Sequence, residues 1–217
     1  MIELPEAAAG GIAAADGLAY VALLDGTVRA YRLADGTQRW SAALGAAAQT
    51  GPACAKGAVV VADSGKRLRA FAADTGARLW DVPLLAQAAS EPGAGADAVL
   101  LGEGNGGCAA FRLTDGLLLW RQSVLGDVVG APAVGERWAV FGSTGHTLYA
   151  VAKLSGEVSK TIVVSGEVLG RAGLEPAAAG RALTAVGTHD GRVYAFSPSW
   201  ERLWAVRLRG AVRAAPL

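Results

Sequence analysis

Gly36-Thr-Gln-Arg-Trp40, Gly76-Ala-Arg-Leu-Trp80 and Gly116-Leu-Leu-Leu-Trp120 are one phrase written three times at intervals of 40 residues. A fixed period of this length marks an array of one supersecondary unit. Other columns fall into the same register. Alanine followed by a large apolar residue recurs as Ala30-Tyr31, Ala70-Phe71, Ala110-Phe111, Ala150-Val151 and Ala195-Phe196. Proline recurs at Pro52, Pro92, Pro132, Pro176 and Pro216, with Ile12 in the first unit's place. Five units are visible, and the step from Pro132 to Pro176 is 44 residues where the others are 40.

Within a unit the pattern is four short strands. The second unit reads Pro52-Ala-Cys-Ala55, Ala58-Val-Val-Val-Ala62, Arg67-Leu-Arg-Ala-Phe71 and Arg78-Leu-Trp-Asp-Val82, separated by turns at Lys56-Gly57, Asp63-Ser-Gly65 and Asp74-Thr-Gly76. Short runs rich in Val, Leu and aromatics, bounded by Gly and Asp, are the strand-and-turn signature. No stretch sustains a 3.6-residue apolar period, which excludes a solenoid of helix pairs. The expected fold is therefore all-β: a β-propeller of four-stranded antiparallel blades, in five repeat units of about 40 residues. A single domain over 1–217 is expected, with blades near 10–45, 50–85, 90–125, 130–165 and 174–209 and overhangs at 1–9 and 210–217. The first strand of each unit is made of very small residues, as strands crowded around a central axis require.

Ala70-Phe-Ala-Ala-Asp-Thr-Gly-Ala-Arg-Leu-Trp80 resembles the tryptophan-docking motif of the pyrroloquinoline-quinone-type propeller repeats, Ala-x-(Asp or Lys)-x-x-Thr-Gly-x-x-x-Trp, with Ala72 in the acidic-or-lysine place. Units one and three match with Asp35 and Asp115 replacing the threonine. In that family the indole of one blade docks on its neighbour. The resemblance thus implies interface roles for Trp40, Trp80, Trp120 and Trp204. Enzymatic members are quinone-dependent dehydrogenases with an adjacent cysteine pair, calcium-binding carboxylate and amide side chains and an axial aspartate. No cluster in this sequence maps onto those ligands. The resemblance extends equally to non-enzymatic propellers, such as the propeller subunit of the outer-membrane barrel-assembly machinery and sensor propellers fused to bacterial kinases.

A net charge of +1 does not provide the basic face that nucleic acid wants. No run approaches the ~18 apolar residues of a membrane span. Met1-Ile-Glu-Leu-Pro-Glu6 has acids where a secretory signal has a basic region, so a native start at Met1 implies the cytoplasm. Relatives with these repeats are often exported, which leaves a trimmed signal as the alternative. Cys54 and Cys108 occupy non-equivalent columns and are expected as buried free thiols.

The chain has no GxSxG, HExxH or CxxC pattern and only two histidines, so no catalytic residue, metal ligand or cofactor is assigned. The irregularities gather late. Unit four has Lys160 in the tryptophan column, unit five has Trp200 in the glycine column, and the four-residue expansion lies within Gly166–Glu175. His146 and His189 fall in the hairpins between second and third strands, which in a propeller share a face with the blade-to-blade connections. His146, Lys160, Arg171, His189 and Asp190 are therefore the candidate binding residues, because loops on a rigid scaffold are where contacts are made. The expected function is a non-enzymatic scaffold that binds a protein or peptide partner on this face. The alternative is a degenerate quinone- or sugar-binding domain. Both termini overrun the five units, which leaves either a closed five-blade monomer or an arc that pairs with further blades or a second copy; closure is favoured because an arc's open edges are costly and self-associate.

Overall fold

Blade 2 shows why these residues form what they do. The run Ala58-Val-Val-Val-Ala-Asp63 is wholly buried because both of its faces are covered. Successive side chains of a strand point to opposite faces. Val59, Val61 and Phe71 accordingly pack with blade 1, while Val60, Ala62, Leu68 and Ala70 pack with blade 3. A continuous apolar run read along the chain is thus two half-cores, one for each neighbour.

The structure, a computed structural model, describes residues 6–174 and 184–213. Twenty strands make five four-stranded antiparallel sheets, and no helix occurs among the described residues. Blade 1 is β1 (Ala13–Ala15), β2 (Leu18–Ala22), β3 (Thr27–Arg32) and β4 (Gln38–Ala43). Blade 2 is β5 (Ala53–Ala55), β6 (Ala58–Asp63), β7 (Arg67–Ala72) and β8 (Arg78–Pro83). Blade 3 is β9 (Gly93–Ala94), β10 (Ala98–Glu103), β11 (Gly107–Arg112) and β12 (Leu118–Ser123). Blade 4 is β13 (Ala133–Val134), β14 (Trp138–Ser143), β15 (Thr147–Ala152) and β16 (Val158–Val163). Blade 5 is β17 (Gly173–Leu174), β18 (Thr184–Gly187), β19 (Arg192–Phe196) and β20 (Arg202–Arg207). Each sheet runs in chain order from the inner strand outward, and the third and fourth strands of every blade slip by one residue at the alanine-plus-apolar column. Pro176 and Pro216 lie outside the described residues.

The recurring tryptophans are the pins between blades. Trp40, Trp80 and Trp120 are buried, and their indole N–H groups donate to the carbonyls of Ala73, Leu113 and Lys153 at 2.8, 2.7 and 2.8 Å. Each acceptor lies 33 residues ahead, in the next blade. Each ring lies on the turn glycine of that blade. A Cβ on Gly76, Gly116 or Gly156 would stand 2.6, 2.8 or 2.6 Å from a ring atom, so these glycines serve the indole as well as their positive φ.

Trp204 departs from this pattern. It is 49% exposed, and all of β20 faces solvent. Core clusters join blades 1 to 2, 2 to 3, 3 to 4 and 4 to 5, and none joins blade 5 to blade 1 among the described residues. The expected docking role of Trp204 and the favoured closed ring are therefore corrected: the described blades form an open arc, with no sixth face for Trp204 to enter. Residues 1–5 and 214–217 lie outside the described residues, and the remainder of each overhang continues the arc. Ala9 N donates to Ala22 O at 2.9 Å at one end and Val212 N to Thr188 O at 3.2 Å at the other, both bonds of the blade-connecting kind.

Candidate functional site

One face of the arc carries the hairpins between second and third strands together with the connectors between blades, and backbone hydrogen bonds tie the two. Ser64 N bonds Ala47 O at 2.9 Å, Gly104 N bonds Gln87 O at 2.8 Å, Thr144 N bonds Asp127 O at 3.0 Å and His189 N bonds Glu167 O at 2.9 Å. All the candidate residues except Lys160 lie on this face.

His146 owes its place to the turn. Its φ is +58°, and the same column holds Gly26 (+79°), Lys66 (+58°), Gly106 (+72°) and Gly191 (+84°). The position needs a left-handed backbone, and no side-chain chemistry is common to the column. His146→Gly is expected to raise the unfolding free energy by about 1 kcal/mol, since a left-handed non-glycine residue costs about that much. Chemical denaturation checks it. A loss of stability would mean that the imidazole makes a contact the fold needs.

His189 and Asp190 sit together but face different neighbours. Asp190 accepts from Ser165 Oγ and from Thr188 Oγ1, both at 2.6 Å, and Tyr194 OH donates to Ser165 Oγ at 2.8 Å. The Ser165 and Thr188 hydroxyls hold the Asp190 carboxyl below its ordinary range. Burial works to raise the Tyr194 hydroxyl, but its hydrogen bonds with Ser165 and Arg192 outweigh burial and leave it lowered. This network is blade 5's version of a recurrent clamp. Tyr194 OH accepts the Ser165 backbone N–H at 3.3 Å, as Tyr149 OH accepts that of Leu125 at 3.1 Å and Glu103 that of Leu85 at 2.9 Å. His189 instead lies 3.0 Å from Arg213 Nη2 and 3.9 Å from Glu167.

Arg213 leads to the axis. A cavity of about 550 Å³ opens there among the starts of the inner strands, lined by small apolar residues with Glu91, Arg171 and Arg213 as its charges. Glu91 is committed: its Oε1 accepts the N–H of Gly11, two blades back, at 2.6 Å. Gly51 sits beside this bond, and a Cβ on it would come within 2.6 Å of Gly11 N. The two exposed guanidinium groups remain, so the cavity mouth is cationic. Of the five candidates, the structure brings Arg171 and His189 together here, through Arg213. Neither Arg213 nor Glu91 is among the candidate residues read from the sequence. The available signal was Glu91 itself, an acid in a column that holds Gly11, Gly51 and Ala131 and is acidic again only at Glu175.

Lys160 lies apart from this group, exposed on β16. It lines a groove of about 400 Å³ between blades 4 and 5, with Ile162, Phe196, Trp200 and Arg202. Trp200, at the turn position where other blades have glycine, has φ +65° and packs on the core between these blades. The fourth joint is therefore rebuilt from the other side: blade 5 supplies the indole that blade 4 lacks. What the sequence presents as two irregularities is one exchange.

The ligand set implied by quinone-dependent relatives does not fit these residues. The axial cavity offers one carboxylate, already bonded to backbone, beside two guanidinium groups that would repel calcium. Among the described residues no three His, Cys, Asp or Glu side chains converge on a point. Cys54 and Cys108 are free, and burial pushes both thiols up, Cys108 strongly. No helix is long and apolar enough to cross a membrane among the described residues.

A family model described as outer membrane protein assembly factor BamB matches residues 3–127 and again 66–215. No curated protein matches the sequence. Among solved structures, BamB from Moraxella catarrhalis is similar at 17% identity and TM-score 0.67, over 96% of this chain and 79% of that one. The computationally designed Ika8 protein is similar at 13% identity and TM-score 0.81, over 94% of this chain and 63% of that one. Quinohemoprotein alcohol dehydrogenase ADHIIG from Pseudomonas putida HK5 is similar at 17% identity and TM-score 0.73, over 95% of this chain. This chain spans only 43% of that dehydrogenase. At such identities the likeness to these structures is one of fold.

Proposed function

The chain belongs to the family of outer membrane protein assembly factor BamB, and from that premise we propose that it is a non-enzymatic propeller scaffold whose hairpin-and-connector face binds an extended protein or peptide segment. The observation that carries this reading is the axial cavity of about 550 Å³, where Arg171 and Arg213 stand over a floor of small apolar residues. Guanidinium groups select carboxylates, which they can hold through paired hydrogen bonds. The partner is accordingly a segment that brings an acidic side chain or a free C-terminal carboxylate to the mouth. A non-enzymatic role is supported by the histidines: His146 serves a turn, His189 faces Arg213, and neither lines the axial cavity.

The test is selection of peptides from a displayed library against the wild-type chain, followed by titration of the selected peptides against the double variant Arg171→Glu, Arg213→Glu. Acidic sequences should emerge and lose at least about tenfold in affinity, the cost of turning two favourable charges into repulsive ones. Peptides that bind the variant as tightly as the wild type would place the site elsewhere. A tight, saturable spectral change on adding pyrroloquinoline quinone with calcium would replace this reading with the enzymatic one.

A further inference from the structure

The two ends of the arc are the two halves of one joint. On β20 and just beyond it, Trp204, Val206 and Leu208 continue the face that Trp80, Val82 and Leu84 present in blade 2, and they are 49%, 50% and 48% exposed. Leu84 and Trp80, covered by blade 3, are buried. At the other end, blade 1 presents what blades 2, 3 and 4 use to receive an indole. Its turn glycine, Gly36, has φ +72°, matching Gly76 at +72°, Gly116 at +73° and Gly156 at +74°. The acceptor carbonyl of this set belongs to Leu33, whose counterparts Ala73, Leu113 and Lys153 are buried under their neighbours, whereas Leu33 is 61% exposed. Ile12, in the proline column beside it, is 66% exposed, and Pro52, Pro92 and Pro132 are buried.

We propose that the occupant of each face is a second copy of this chain, joined head to tail, with Trp204 of one copy seated on Gly36 and bonded to the Leu33 carbonyl of the other. The argument is continuity. The joint is built three times within the chain with the same indole-to-carbonyl interval, so the contact extends a packing arrangement the molecule already uses. Because knob and socket are different surfaces, the contact is heterologous and can pass from copy to copy. Adjacent exposed apolar surface of this kind marks an association site.

Two variants separate the halves. Trp204→Ala removes the knob and Leu33→Glu blocks the socket with a charge that the joint would bury. Both residues are exposed in the single chain, so thermal unfolding at low concentration should match the wild type. By light scattering after size exclusion, across micromolar concentrations, the wild type should move from one chain mass towards multiples. Each variant alone should stay at one chain mass, with the dissociation constant raised at least about tenfold, as for loss of a central aromatic anchor. Mixed together, they should form a 1:1 pair and nothing larger, because only one intact joint remains. Iodide should quench Trp204 in the dilute wild type and lose access to it on association. A single chain mass at every concentration overturns the proposal, as does association that survives both substitutions. If protection of Trp204 comes only when further repeat units are fused to the chain, the faces belong to additional blades of one polypeptide and the second copy is overturned.

Discussion

Trp80→Ala is expected to lower the unfolding free energy by about 3–5 kcal/mol, the range for removing a large buried side chain. Three losses combine at this site. The ring leaves a void in the cluster that unites blades 2 and 3, around Leu84, Val99, Leu101 and Phe111. The Leu113 carbonyl, which accepts the indole N–H at 2.7 Å, is left buried without that partner. The turn at Gly116, shaped to lie against the indole, loses the surface it rests on. A domain of ordinary stability has only ~5–15 kcal/mol in all. The denaturation midpoint should therefore fall steeply, and an unchanged midpoint would show that the indole is not what holds these blades together. Trp204→Ala provides the contrast. Its ring lies half in solvent, so in the dilute single chain the change should stay within about 0.5 kcal/mol.

Arg69→Ala is expected to cost a similar ~3–5 kcal/mol by leaving a buried charge uncompensated. Asp63, fully buried, accepts the backbone N–H groups of Gly65 and Arg67 at 2.9 and 3.1 Å and is paired with the Arg69 guanidinium. Arg69 also reaches Asp81 at 3.1 Å, and Asp81 is paired with Arg67. A double variant that removes Asp63 and Arg69 together, in apolar residues of similar size, should recover much of the loss, because the pair's own desolvation cost disappears with it. Denaturant titration of the two single variants and the double one measures this; a double variant that loses as much as the two singles added together would remove the coupling. The network also sets a pH dependence. Burial works to raise the Asp81 carboxyl, and the hydrogen bonds and charges of Arg67 and Arg69 outweigh it, so the folded value is depressed. A depressed carboxyl contributes its full stabilisation above the unfolded value of about 3.9 and loses it as pH falls through the folded value. The wild type should then lose stability below about pH 4 more steeply than Asp81→Asn.

The period of 40 residues made the blades legible in the sequence because a repeat reports local structure, and strand, turn and strand are local. The joints were harder to read, since each one pairs columns from two different units. Lys160 looked like the loss of a docking residue, and Trp200 like an unrelated lapse in the glycine column. Only when blades 4 and 5 are side by side does Trp200 stand where the missing indole belongs. The same limit applies to the candidate site. His189 and Asp190 were visible as polar turn residues, but Asp190 is spent on clamping Ser165, and His189 matters through Arg213. Closure of the ring was misjudged for a related reason. The count of units and the length of the overhangs say nothing about the angle between neighbours, which packing alone sets.

The hydrogen bond from Gly11 N to Glu91 joins residues 80 apart and passes over blade 2, whereas the tryptophan bonds each reach only the following blade. In kinetic terms the two kinds of contact are unlike. Blades that depend on their immediate neighbours can begin ordering at any point and spread along the chain, as in other repeat proteins. The Glu91 clasp has no route to early formation, because the entropy of closing so long a loop is recovered only once blades 1, 2 and 3 already stand in place. It belongs to the downhill side of the folding barrier, where a contact slows unfolding without hastening folding. A single carboxylate at the axis is thus expected to lengthen the time the first three blades stay assembled without changing how quickly they assemble.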